Sequence, residues 1–214
     1  SELFDRKEMY GYEDDIERFL SFQIATLNWI NSLSKIPDLI HCHDHHTGLV
    51  PFMMQYANKY EKLRNITSIL TIHNAIYQGQ FSLDKLYYLP EFDLSNLTLL
   101  EWDNKINSLA TGIKCASAVS TVSPNFLNEI NNFGYGLEAL FNTVRHKSKG
   151  ILNGIDTEVW NSMNDKMISS NFSIKTVEKG KQANKEKLCN QFNLDPTKPL
   201  FSFIGRLLEE KGAD

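Results

Sequence analysis

Five polar clusters in this chain stand where runs of strand-forming residues stop. Asp44-His45-His46 follows the run 37–42, and His73-Asn74 follows Ile69-Leu70-Thr71-Ile72. Ser123-Pro124 closes the run 118–122, Asn153-Gly154 follows Gly150-Ile151-Leu152, and the charged stretch 206–211 follows the run 200–204. In open parallel α/β sheets the ligand crevice lies outside the carboxyl ends of the strands. A chain built this way gathers its polar groups in one cleft, which points to an enzyme rather than a scaffold.

The segments between these strands read as helices, so the expected class is α/β, a Rossmann-like parallel sheet with flanking helices. Over 12–31, Ile16, Phe19, Leu20, Ile24, Leu27 and Ile30 recur at three- and four-residue steps. Thr47 reads as the N-cap of a helix through about Lys59, with Pro51 in its first turn. The β-branched strand 67–72 is expected to be covered on both faces. A long connection, 74–97, leads to a predicted helix over 98–114 with Leu99, Trp102, Ile106, Leu109 and Ile113 on one stripe. Ser123 caps the next helix, with Pro124 at its first position. A loop around Tyr135 precedes a short helix from Leu137, and 176–193 is a Lys-rich helix. Pro199 opens the last strand.

At 214 residues the chain is long enough for one full domain and the start of another. It begins without Met and stops one strand into a new unit, which predicts a piece of a larger protein. Residues 1–160 read as most of one domain, 161–175 as a linker and 176–214 as the beginning of a second. The net charge of −4 argues against nucleic acid as a general partner. No run of about eighteen apolar residues suggests a membrane span. Three scattered cysteines, Cys42, Cys115 and Cys189, show no metal-ligand pairing and suggest a reducing, cytoplasmic setting.

His41-Cys42-His43-Asp44-His45-His46 invites a metal, because imidazole and carboxylate ligate zinc. It falls one place short of the His-x-His-x-Asp-His of metal-dependent hydrolases, since Asp stands fourth. His41 would also sit inside the strand and point away from His46. The ordinary alternative is a solvated loop. His73 is equally compatible with a core histidine satisfied by backbone and with one that holds sugar hydroxyls. The stretch from Gly205 to Gly212 lacks the Gly-Lys-Ser/Thr end of a phosphate loop, but Arg206 and Lys211 straight after a strand suit a diphosphate. A surface cluster with Glu209 and Glu210 would explain them too. Asn153-Gly154 is a turn signal, and the aromatics of 77–92 are either core or a sugar-stacking loop.

Taken in order, these residues resemble the bacterial glycogen synthase and plant starch synthase family along almost the whole chain. The motifs are His43-Asp44-His45-His46-Thr47-Gly48-Leu49, then Thr71-Ile72-His73-Asn74 with Tyr77-Gln78-Gly79, then Thr121-Val122-Ser123-Pro124. Tyr135-Gly136-Leu137-Glu138, Leu152-Asn153-Gly154-Ile155-Asp156 and Gly205-Arg206-Leu207 with Lys211-Gly212 follow. The resemblance implies a GT-B protein of two Rossmann-like domains. It implies transfer of glucose from a nucleotide sugar, usually ADP-glucose, to the non-reducing end of an α-1,4-glucan, with retention and with no metal or other cofactor. Glycogen or starch is then the acceptor, with neither nucleic acid nor membrane as partner. Residues 1–160 would be most of the catalytic N-terminal domain and 176–214 the start of the nucleotide-sugar domain.

Residue by residue, Arg206 and Lys211 match the pair that neutralises the leaving diphosphate. His73 matches the histidine against the transferred glucose, and Asp44 the aspartate lining the same pocket. His46, Asn74, Asn153, Gln78 and Tyr77 are the expected substrate contacts. Charge on the leaving oxygens is the largest electrostatic help such a reaction can receive, and fixed hydrogen bonds to sugar hydroxyls position it. Two positions depart from the family pattern: His45 stands where Trp is usual, and Ala139 where Gly is usual. A metal-dependent hydrolase built on 41–46, or a non-catalytic glucan- or nucleotide-binding module, is the alternative.

Overall fold

The computed structural model describes residues 2–205, 207 and 212. Arg206 and Lys211 lie outside the described residues. The chain divides into two compact units, Ser1–Asn153 and Gly154–Asp214.

The first unit is built on a four-stranded parallel sheet. In chain order its elements begin with α1 (Asp15–Ser32), β1 (Leu39–His43), α2 (Val50–Tyr56) and β2 (Thr67–Ile72). A small antiparallel insert follows: β3 (Gln80–Phe81), α3 (Leu97–Leu100), β4 (Glu101–Trp102) and β5 (Lys105–Asn107). Then come α4 (Ser108–Cys115), β6 (Ala118–Thr121), α5 (Pro124–Asn132), α6 (Glu138–Thr143) and β7 (Ser148–Gly150). The parallel order is β1-β2-β6-β7, and the insert pairs as β3-β5-β4. This is the expected Rossmann-like α/β class.

Alternation along the strands separates the two sheet faces. Cys42, Leu70, Ile72, Val119 and Thr121 point into the core with Leu27, Phe52, Met53, Leu109 and Ile113. The register pairs His41 with Ile69 and His43 with Thr71, and these sit on the opposite, more open face. The expectation that β2 is covered on both faces therefore fails among the described residues, where its burial alternates.

Four further sequence expectations need correction. Thr47 does not cap a helix; its Oγ1 accepts from the His43 N–H at 2.6 Å and donates to the His43 carbonyl at 2.8 Å, closing the turn after β1. The helix α2 starts later, with Pro51 in its first turn, and stops at Tyr56, because Ala57 turns extended and bridges to Phe92.

The predicted helix 98–114 is interrupted by a hairpin. Asp103 and Asn104 both take positive φ, 55° and 59°, the conformation of a two-residue turn between twisted strands, which short polar side chains tolerate. Asn107 then caps α4 by accepting from the Ala110 N–H at 2.9 Å. Ile106, Leu109 and Ile113 are buried either way, so the helical period matched by coincidence. The strand placed at 150–152 is β7, two residues earlier; Ile151 and Leu152 are exposed. Finally, 200–204 pairs with no strand among the described residues, and 201–204 are exposed.

The second unit carries α7 (Val177–Gln191), entered through a capping box from Ser173 to Thr176. The segment before it is tied down: Ser162 Oγ donates to the Phe172 carbonyl at 2.8 Å, and the Asn184 carboxamide accepts from Ser169 and Ser170. Phe172 packs against Gly180, where a side chain would collide.

Candidate active site at the ends of β1 and β2

Asp44 stands at the end of β1 with φ 54° and ψ −168°, a region that residues other than glycine seldom enter. Hydrogen bonds over-determine it. Its N–H donates to the Thr71 carbonyl at 3.0 Å, extending the ladder with β2. Its Oδ1 accepts from the backbone N–H of His73 at 2.7 Å and, more distantly, of Asn74 at 3.4 Å. Asn74 Oδ1 in turn accepts from the Ile76 N–H at 2.9 Å. One carboxylate thus links two strand ends and fixes the backbone from which the His73 and Asn74 side chains leave.

The His73 ring is exposed, so it is no sealed core histidine. Its Nε2 lies 3.0 Å from His43 Nδ1, and the two nitrogens share one proton, each donor or acceptor by tautomer. His43 stacks on His41 with centroids 4.3 Å apart, and His41 Nε2 lies 2.7 Å from Thr71 Oγ1, which meets Ser120 Oγ at 2.6 Å. Burial lowers the His43 pKa, and its histidine neighbours His41 and His73 lower it further.

His45 and His46 turn the other way, under α1. His46 meets the Phe19 ring edge-on at 4.6 Å and lies 5.7 Å from Tyr10; His45 lies 5.8 Å from Phe19. His45 Nδ1 and His46 Nε2 are buried without a partner among the described residues. Burial, helped by His46, pushes the His45 pKa down to about 4. Burial also lowers His46, with Asp44 opposing and Arg18 reinforcing. Gly79, at φ 61°, lies against His45, where a side chain would press on the ring.

Four histidines in six residues are thereby split between two faces. Among the described residues no three His, Cys, Asp or Glu side chains gather as a metal site would need.

The structure brings Asp44, His73 and Asn74 together. Tyr77 is about half exposed nearby in sequence, and Asn153 is exposed at the end of the first unit. Gln78 is buried, and its carboxamide is engaged within the protein: it donates to the Tyr135 carbonyl at 2.9 Å and accepts from Asn107 Nδ2 at 2.7 Å and Gln80 Nε2 at 3.0 Å.

A cavity of about 480 Å³ opens beside it, lined by Gln78, Gln80, Trp102, Asp103, Tyr135 and Gly136. Of its lining residues, Gln78, Tyr135 and Gly136 fall within motifs, Trp102 was expected on the stripe of a helix, and Gln80 and Asp103 were not singled out. The Asp-Asn pair, a hairpin signal, was the available clue.

Residues 1–143 match the family of the starch synthase catalytic domain. The chain belongs to that family. It is 67% identical over 213 residues to the glycogen synthase of Flavobacterium johnsoniae, covering 100% of this chain and 45% of that protein. It is 38% identical over 223 residues to the glycogen synthase of Streptococcus uberis, covering 100% of this chain and 46% of that one. The chain therefore spans somewhat under half the length of these relatives. Among solved structures it resembles the catalytic domain of starch synthase IV from Arabidopsis thaliana bound to ADP and acarbose. That likeness has a TM-score of 0.75 and 31% identity, over 92% of this chain and 41% of that one. Family and fold thus agree with the resemblance read from the motifs. No helix among the described residues is long and apolar enough to cross a membrane.

Proposed function

We propose that this chain is the amino-proximal part of a glucan synthase that transfers glucose from a nucleotide sugar, ADP-glucose by preference, to the non-reducing end of an α-1,4-glucan with retention. The observation that carries this is the unbroken 67% identity to a glycogen synthase across the whole chain. The site geometry supports it. In the reaction the bond from glucose C1 to the diphosphate oxygen breaks, a glycosidic bond to the acceptor hydroxyl forms, and that hydroxyl loses its proton. The transition state is oxocarbenium-like, so a fixed array of hydrogen bonds around the sugar serves it better than a mobile one.

Asp44 supplies the fixity through the N–H groups of His73 and Asn74. The exposed His73 ring offers a hydrogen bond to a glucose hydroxyl while His43 holds its other nitrogen in place. Asn74, Tyr77, Gln78 and Asn153 belong to the same sugar-binding proposal, with Gln78 acting by positioning its neighbours, whereas His46, packed under α1 against Phe19, is assigned no sugar contact. Arg206 and Lys211 are assigned to the departing diphosphate on their motif alone. Residues 161–175 are proposed as the joint between the catalytic and nucleotide-sugar domains.

The test is glucose incorporation into glycogen by the gene product that carries this chain, with ADP-glucose and UDP-glucose compared. His73→Ala is expected to lower kcat by roughly 100-fold or more. The 214-residue chain alone is expected to transfer none. Full activity in His73→Ala overturns the site, and absence of transfer from either donor overturns the function.

A further inference from the structure

One hydrogen bond at the rim of the sheet has two possible directions, and the chemistry of imidazole separates them. His43 Nδ1 and His73 Nε2 stand 3.0 Å apart with one proton between them. A neutral imidazole has one N–H and one bare nitrogen, and the bond made at one nitrogen sets the state of the other. If His43 donates, its proton sits on Nδ1. His73 must then accept at Nε2 and carry its own proton on Nδ1 as well. If His73 donates, both rings hold their protons on Nε2. A neutral histidine side chain prefers Nε2, the nitrogen farther from the backbone. Only the second direction puts both rings in their preferred form.

The surroundings of His43 support that direction. Burial, with His41 and His73 beside it, lowers the His43 pKa, so the ring stays neutral and keeps a lone pair on Nδ1. Its plane is held from behind by His41, which stacks on it with centroids 4.3 Å apart and planes at 33°. His41 Nε2 lies 2.7 Å from Thr71 Oγ1, which lies 2.6 Å from Ser120 Oγ. A proton on His41 Nε2 donates to Thr71, whose hydroxyl is then free to donate to Ser120. Thr71 stands opposite both His43 and Ser120 in the strand register, so β1, β2 and β6 all contribute to this support.

The far side of His73 faces outward. Its ring is exposed, and Nδ1 makes no hydrogen bond among the described residues. With the proton committed to Nε2, Nδ1 presents a lone pair. Such a nitrogen accepts from a hydroxyl and has no proton to give a phosphate oxygen, which is itself an acceptor.

We propose that His43 is a positioning residue that fixes His73 as a hydrogen-bond acceptor, with its proton on Nε2 and its Nδ1 lone pair turned to a sugar hydroxyl. His41, Thr71 and Ser120 act behind it by holding the His43 ring. The inference rests on the glucosyl-transfer reading and deepens it, by naming the tautomer of His73 and the residue that sets it.

The test uses the full gene product that carries this chain, isotope-labelled at histidine nitrogens alone. Long-range proton–nitrogen NMR spectra read which ring nitrogen is protonated, and the His73 signals are those lost in His73→Ala. In the wild type, His73 is expected to be protonated at Nε2 and bare at Nδ1. His43→Phe keeps a ring against His41 and removes the acceptor. It is expected to release His73 to a mixture of tautomers and to lower kcat for glucose transfer about tenfold, the order of one hydrogen bond, with KM changed less than about threefold. His43→Asn, whose Oδ1 can take the place of Nδ1, is expected to restore the tautomer and bring kcat to within about threefold of wild type. A purely structural role would move the melting temperature without moving the tautomer.

A wild-type His73 protonated at Nδ1 overturns the proposal, and so does a His43→Phe protein that keeps both tautomer and kcat. Should His43→Phe fail to fold, the Nε2 proton retained in His43→Asn supports the proposal and its loss overturns it. A gene product that transfers no glucose overturns the transfer reading, while its spectrum still decides the tautomer.

Discussion

Two sets of histidines in the first unit have opposite fates. His41, His43 and His73 lie on the open side of the sheet, each ring within hydrogen-bond reach of another side chain. His45 and His46 lie under α1 against Phe19, with one ring nitrogen each unpartnered among the described residues. Between His43 and His45 stands Asp44, and its positive φ turns the chain there. The difference teaches that imidazole content says little about chemistry. The local backbone decides whether a ring becomes a proton-sharing group at a rim or a neutral packing element.

Asp44 is therefore where the contrast is most easily broken. Asp44→Ala removes the acceptor for two N–H groups and leaves a residue poorly suited to φ 54°. Glucose transfer by the full gene product is expected to fall at least 100-fold, with a stability loss of about 2–3 kcal/mol. Asp44→Gly relieves the strain and still removes the acceptor, so it should recover stability in a denaturant melt without recovering activity. If Asp44→Gly were fully active, the carboxylate would be structural filler and the proposed site would be wrong.

The buried pair predicts an acid-sensitive fold. The folded-state pKa of His45, about 4, lies below its ordinary value of 6.5, so the fold favours the neutral ring. That preference is fully in place above pH 6.5, fades as pH falls and is lost once the folded-state value is passed. The associated loss is about 3 kcal/mol at most. Urea melts from pH 7 to pH 4 should show it, and His45→Phe, which keeps a ring against Phe19, should flatten the profile. A mutant as acid-sensitive as the wild type would move the cause to another group. Gly79→Ala tests the same packing from outside. The new methyl meets the His45 ring at a position already at φ 61°, and a loss of about 1–2 kcal/mol is expected, partly recovered in combination with His45→Ala.

Much of this was legible in the chain before its shape was known. β1, β2 and β6 and the Ser123-Pro124 cap follow from residue type alone: Ser123 accepts from the Phe126 N–H at 2.9 Å, as its position before Pro124 implies. His73 and Asn74 were legible as a strand-end pair. The hairpin at Asp103-Asn104 was hidden because its flanking apolar residues fall by chance at helical spacing, and periodicity outweighed a two-residue turn signal. The role of Gln78 could not be read at all. A buried amide that fastens a loop 57 residues away leaves no local pattern. Nor does the positive φ of Asp44, which depends on two N–H groups arriving from another strand.

The smallest expected effect lies within the open set, and it separates a network from mere proximity. His43 is pushed to lower pKa first by burial and then by His41 and His73. Replacing His41 with Ala removes one of those neighbours and bares the stacked face of His43, so both causes weaken together and the His43 pKa should rise toward the ordinary value. Histidine ring resonances followed by NMR through the titration would report it. His45 serves as the internal control, since its ring packs against Phe19 and the His46 ring, and its low pKa follows from burial there. If the His43 resonance titrates unchanged while the spectrum otherwise stays native, His41 does not act on it. The three open rings would then be neighbours on a sheet face, and only the His43–His73 contact would be left to steady the ring at the candidate site.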